Sequence, residues 1–237
     1  MSPETLPRAA VVVLAGGSGS RLGARLDGVS LNKVYLPLNG RPVLAWSLHA
    51  ADQVPGVVRL VLVVRAEDAE RAAAMLREDP VSRPVEVVTG GATRHGSEDA
   101  AMARLAPAIR AGDLDVVAVH DGARPLATSS LFAEVIKVAA THGGAVPAVT
   151  SGPLLPHPDG VLVRVQTPQA FRAPALLEAY SAAARDAFEG TDTASGVQAY
   201  TDLEVRTVPG SASNLKVTYP DDVAVAERVL AARTASA

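Results

Sequence analysis

Val11-Val12-Val13-Leu14-Ala15-Gly16-Gly17-Ser18-Gly19-Ser20-Arg21-Leu22-Gly23 leads from a short β-branched run into a glycine-rich loop carrying a cation. Comparable valine-rich runs recur at Leu60–Val64, Val85–Val88, Val116–Val119 and Ala145–Val149. Short apolar runs of this kind suit strands covered on both faces. Between them lie stretches of helical period. Leu44, Leu48 and Ala51 fall on one stripe, and Phe132, Val135, Ile136 and Ala139 on another. Pro42 is expected in the first turn of the former, where its missing N–H costs little. Strand–helix–strand alternation predicts an α/β fold: a doubly wound, mostly parallel sheet that binds ligands beyond the carboxyl ends of its strands.

The alternation breaks from about 150 to 166, where Pro and Gly crowd Ser151-Gly152-Pro153-Leu154-Leu155-Pro156-His157-Pro158-Asp159-Gly160. Asp159-Gly160 is a hairpin-turn signal, and the stretch is expected to form a short protruding arm. A last helix should place Val225, Val229 and Leu230 on one face, with Ala232 to Ala237 fraying. No internal repeat or linker composition interrupts residues 1–237, which read as a single domain.

Composition narrows the function. Lys plus Arg number 22 against 25 Asp plus Glu, a net charge of −3. That balance disfavours binding nucleic acid through phosphate attraction. Cysteine is absent, which excludes disulfides, thiolate metal sites and cysteine nucleophiles. No apolar run approaches the about 20 residues that span a bilayer. The first residues show no leader pattern, so a soluble cytoplasmic protein is expected, with no membrane partner.

The glycines at 16, 17, 19 and 23 let backbone N–H groups approach an anion, and Arg21 and Lys33 add positive charge on the same side of the sheet. Such a set suits a triphosphate and the charge that builds in phosphoryl or nucleotidyl transfer. It is not a Walker loop, since no Gly-Lys-Ser/Thr follows at the needed spacing. From the glycines alone, a loose dinucleotide fingerprint or a plain tight turn stays open.

Further segments follow in order: Gly90-Gly91-Ala92-Thr93-Arg94-His95-Gly96-Ser97, Val119-His120-Asp121-Gly122-Ala123-Arg124-Pro125, Gln166-Thr167-Pro168-Gln169-Ala170-Phe171 and Asn214-Leu215-Lys216-Val217-Thr218. Together with the opening loop they resemble the polyol-phosphate cytidylyltransferases over roughly residues 10 to 232. Both methylerythritol phosphate and ribitol phosphate enzymes are similar. The resemblance implies a Rossmann-like fold of the nucleotide-diphospho-sugar transferase type. It also implies CTP and a polyol phosphate as substrates, Mg²⁺ as cofactor and a homodimer. Carried over by position, Ala15, Gly16, Gly17, Ser18 and Gly19 contact CTP, while Gly91, Ala92 and Ser97 face its base. Arg21, Lys33 and Lys216 act in catalysis, and Asp121 holds Mg²⁺ or the ribose–phosphate region. Asp121, Arg124, Thr191 and Asp192 serve the acceptor.

Plainer readings stand beside these. Arg124 can cap a turn or pair with a carboxylate. His120 reads as a satisfied core residue rather than a metal ligand. Gln166 to Phe171 reads as architecture. The chain also departs from the family pattern. No Asp-Thr-x-Lys follows the fifth strand, the arm is short, and Arg164 is its only arginine. Thr193 stands where an acid is common, and Asn32 where proline usually precedes the lysine. These departures keep two alternatives open: a ribitol-5-phosphate or other sugar-phosphate acceptor, or a non-catalytic nucleotide-binding relative.

Overall fold

The computed structural model describes residues 6–17, 25–26, 29–30, 32–150, 164–186 and 188–235. Its main sheet contains β1 (Ala9–Leu14), β2 (Val57–Val64), β3 (Val85–Thr89), β4 (Val116–Asp121), β5 (Gly144–Val149), β6 (Arg164–Val165), β7 (Gln169–Arg172) and β8 (Val205–Pro209). Helices α1 (Val43–Asp52), α2 (Ala69–Glu78), α3 (Arg94–Arg110), α4 (Ser129–His142), α5 (Ala173–Arg185), α6 (Thr193–Tyr200) and α7 (Pro220–Ala235) connect and cover it.

Strand order is β6-β5-β7-β4-β1-β2-β3, with β8 off this path and paired parallel to β5. β1 runs parallel to both β2 and β4, and β2 parallel to β3. The all-apolar β1 is explained by two-sided burial. Ala9, Val11 and Val13 pack on one face with Leu44 and Leu48 of α1 and Phe132 of α4. Ala10 and Val12 pack on the other with Leu105 of α3 and Leu176 of α5. A period of two thus feeds two separate cores, each worth about 1.5–3 kcal/mol per large side chain buried.

Several details differ from the sequence expectation. β7, antiparallel to both β4 and β5, wedges between them. It is four residues long and ends in Gln169 and Arg172, so it carries no strand-like apolar run. Pro42 sits one position earlier than expected: it is the N-cap of α1 in an extended conformation paired with Pro37. α7 turns Ala226, Leu230, Val223 and Val229 inward and leaves Val225 45% exposed, one step off the stripe read from sequence. The helix also continues through Ala235 rather than fraying from Ala232. Of the arm expected over about 150–166, residues 151–163 with the Asp159-Gly160 turn lie outside the described residues, while Arg164–Val165 is already back in the main sheet, paired with β5. Among those described, no helix is long and apolar enough to cross a membrane.

Candidate active site

β1 lies between β2, reached by one crossover, and β4, reached after the chain has passed β3. Connections therefore leave the sheet in opposite directions at the β1–β4 boundary, and a crevice opens beyond their carboxyl ends. Leu14 and Asp121 are register partners at that edge. A cavity of about 640 Å³ occupies the crevice.

Its floor is the loop after β1, where Ala15, Gly16 and Gly17 line the cavity. One wall is the turn into α3, where Gly91, Ala92 and Ser97 line it as well. Thr93 caps α3 by accepting from Gly96 N at 3.0 Å, and Ser97 Oγ donates to Thr93 O at 2.9 Å. This fold-back demands glycine at 91: a Cβ there would stand 2.8 Å from the Gly96 carbonyl carbon. The positive end of α3, whose first N–H groups have no helical partner, faces the cleft.

Lys33 enters from a short 3-10 turn, Lys33–Tyr35, and is 8% exposed. Asn32 fixes that turn. Its Oδ1 accepts from Val34 N, and its Nδ2 donates to Ala15 O at 2.8 Å and Asp68 Oδ2 at 3.0 Å. A proline offers none of these side-chain bonds, so the departure at 32 ties the lysine's turn directly to the end of β1.

Lys216 arrives from the opposite side, on an extended segment clipped to the end of β4. Val217 N donates to Ala123 O at 2.8 Å. Arg124 Nη1 donates to Asn214 O at 2.8 Å, Gln166 Nε2 donates to the same oxygen at 3.1 Å, and Asn214 Nδ2 donates to Thr167 O at 3.0 Å. The Gln166–Phe171 stretch thus does architectural work, as its composition suggested. Lys216 Nζ then meets Asp121 Oδ2 at 2.8 Å.

Asp121 ends a fully buried strand. Burial pushes its carboxyl up, but Lys216, Arg94 and Arg124 outweigh that and hold it well below the usual carboxylate range. Arg94 Nη2 takes its Oδ1 at 3.3 Å. Beside it, His120 is wholly buried, and burial pulls its imidazole down to about 4. Thr167 Oγ1 accepts from Asp121 N at 3.0 Å and lies 3.2 Å from His120 Nδ1, while His120 Nε2 lies 3.3 Å from Arg124 O. A neutral ring with its proton on Nε2 satisfies all of these contacts. His120 is therefore the core residue its sequence context implied.

Both Asp121 oxygens carry cations, and among the described residues no group of three or more His, Asp or Glu side chains assembles. Asp121 is the residue that would hold an Mg²⁺ borne on a triphosphate, a metal that asks for one or two protein carboxylates.

The cleft therefore gathers Ala15, Gly16, Gly17, Lys33, Gly91, Ala92, Ser97, Asp121 and Lys216. Ser18, Gly19 and Arg21 lie outside the described residues. Arg124 stands behind the cleft, its Nε 3.7 Å from Asp121 Oδ2. Asp192 caps α6, accepting from Ser195 N at 2.9 Å and Gln169 Nε2 at 3.0 Å, and Thr191 is exposed beside it. None of these three is among the residues lining the cavity. Sequence reading missed Arg94, Glu98 and the bracing role of Asn32. The Arg94–Glu98 spacing of four on a helix was the available signal.

A doubly wound α/β protein with basic side chains around a glycine loop at the switch point belongs to the nucleotide-handling class. Within that class the assignment is specific: the IspD family model, 2-C-methyl-D-erythritol 4-phosphate cytidylyltransferase, matches residues 9–232, and the chain belongs to that family. A 2-C-methyl-D-erythritol 4-phosphate cytidylyltransferase of Cereibacter sphaeroides is 38% identical over 232 residues, covering 94% of this chain and 96% of that protein. The crystal structure of the Thermus thermophilus protein of that name is 28% identical, covers 93% of this chain and 97% of its own, and superposes with a TM-score of 0.66. A 4-diphosphocytidyl-2C-methyl-D-erythritol synthase from Anaerococcus prevotii shares the fold at a TM-score of 0.78, with 24% identity over 95% of this chain and 96% of that one.

Proposed function

We propose that the protein transfers the cytidylyl group of CTP to 2-C-methyl-D-erythritol 4-phosphate, releasing pyrophosphate, in isoprenoid precursor synthesis. The observation that carries this reading is the convergence of Lys33 and Lys216, from distant parts of the chain, on the cleft that the Gly16-Gly17 loop floors.

An acceptor phosphate oxygen attacks the α-phosphorus of CTP in line. A new P–O bond forms as the α–β bridging bond breaks, and pyrophosphate departs. No covalent enzyme intermediate is needed, so positioning and charge stabilisation supply the rate. Gly91, Ala92 and Ser97 hold the base in a turn too tight for a purine. Lys33, with Arg21, neutralises charge on the α-phosphate as it becomes pentacoordinate. Lys216, steadied by Asp121, bridges that phosphate and the incoming acceptor phosphate. Asp121 would hold Mg²⁺ borne on the triphosphate, and the metal would supply charge screening there. The protein acts in the cytoplasm as a homodimer.

Pyrophosphate release from CTP is measured against a panel containing 2-C-methyl-D-erythritol 4-phosphate and ribitol 5-phosphate, with and without Mg²⁺. Fastest turnover with the former, only in the presence of the metal, is expected. Preference for ribitol 5-phosphate would overturn the acceptor assignment, and CTP binding without any turnover would overturn the catalytic one.

A further inference from the structure

Behind the cleft, acidic and basic side chains alternate from the core to the opening. Glu98, one turn into α3, has a side chain 2% exposed. Its Oε1 accepts from the Arg94 guanidinium and, at 2.8 Å, from Thr193 Oγ1; its Oε2 accepts from the Tyr180 hydroxyl. Three donors surround it, a setting that suits a carboxylate. Burial nonetheless pushes the Glu98 carboxyl up. A buried charge is costly to keep, and Glu98 is not among the residues lining the cavity.

Arg94 explains what the charge does. Its fork is shared between two carboxylates, Nη1 on Glu98 and Nη2 on Asp121 Oδ1, which leaves Asp121 Oδ2 for Lys216. A guanidinium grips a lone carboxylate with two parallel bonds when nothing restrains it. Without the second partner, the fork can close on both oxygens of Asp121 and displace the lysine. Along this path side-chain exposure is 2% at Glu98, 26% at Arg94, 11% at Asp121 and 42% at Lys216, so the two ends of the chain of contacts lie in the core and at the opening. Building on the nucleotidyl-transfer reading, we propose that Glu98 is a positioning residue for Lys216, acting through Arg94 and Asp121.

Glu98→Gln keeps the shape and removes the charge. Two readouts are taken: pyrophosphate release from CTP, and the rate at which reductive methylation labels each lysine. Lys137, exposed on α4, is the internal standard, and the buried Lys33 reports general loosening. The expected result is at least a threefold rise in Lys216 labelling relative to Lys137, with Lys33 unchanged. kcat falls at least tenfold while KM for CTP stays within threefold. Thr193→Glu, which offers Arg94 a carboxylate from the adjoining helix, moves both readouts back toward wild type when added. An unchanged Lys216 ratio, or an unchanged kcat, overturns the proposal. Should Lys33 labelling rise in step, Tyr180→Phe is judged by the same criteria. A wild-type protein that releases no pyrophosphate defeats the functional reading instead, and the labelling still decides the role of Glu98.

Discussion

Asp121 and Lys216 stand 95 positions apart in the chain and meet at the cleft through a 2.8 Å ion pair. The pair joins the end of a central strand to a segment that no regular element holds. Its geometry therefore depends on the clips at Ala123, Arg124, Asn214 and Gln166, and the reactivity of the cleft depends on them too.

Lys216→Ala should lower kcat/KM by about 10²–10³, the cost typical of removing one cationic or hydrogen-bonding partner of a charged transition state. Lys33→Met, which keeps the buried stem, should do the same. Circular dichroism and thermal melts should stay near wild type for both. Retention of full turnover by either variant would remove that lysine from the mechanism.

Gly91→Val tests the wall of the base pocket. The added side chain meets the Gly96 backbone from 2.8 Å, and the atoms it meets are main chain rather than the end of a side chain that can yield. A loss of about 1–3 kcal/mol in stability is expected from the forced shift. CTP affinity measured by calorimetry should fall with it. Tight CTP binding by a stable Gly91→Val protein would place the base elsewhere.

The buried His120 makes stability depend on pH. Its folded value is about 4 against an ordinary 6.5, so between these the unfolded chain binds more protons. The stability it contributes is complete above pH 6.5 and is lost as pH falls toward 4. From pH 7 to pH 4.5 the loss is about 2 kcal/mol. Asp121, held below the usual carboxylate range, adds a loss of the same sign at lower pH. Urea unfolding of His120→Gln should show a flatter dependence between pH 7 and pH 4.5 than wild type. Parallel slopes would contradict the assignment of a neutral buried ring.

Arg124→Met should loosen the 214–217 segment by removing the bond to Asn214 O. A fall in kcat several times larger than any change in KM for CTP is expected, because the nucleotide walls are untouched. A selective rise in KM for the acceptor would instead mean that Arg124 reaches the acceptor directly.

The sheet was legible because its central strands are buried on both faces, so valine runs announce them without any alternation to decipher. The glycine loop and the two lysines were legible as motifs. β7 was not, since a four-residue strand with polar ends takes its place from neighbours rather than from its own pattern. The face of α7 slipped because only one stripe, through Ala226 and Leu230, packs on the satellite cluster around Leu38 and Leu126, and alanine gives no signal of burial. Glu98 stayed hidden for a related reason. A carboxylate on a helix reads as solvated until the fold puts Arg94, Tyr180 and Thr193 around it.

Val149 and Arg164 are neighbours across β5 and β6, so the sheet fixes both ends of the connection between them side by side. Lengthening such a connection is thermodynamically cheap, at about 0.6 kcal/mol for each doubling of a flexible loop. A change in the length of that connection therefore leaves the nucleotide cradle on the far side of β4 in place.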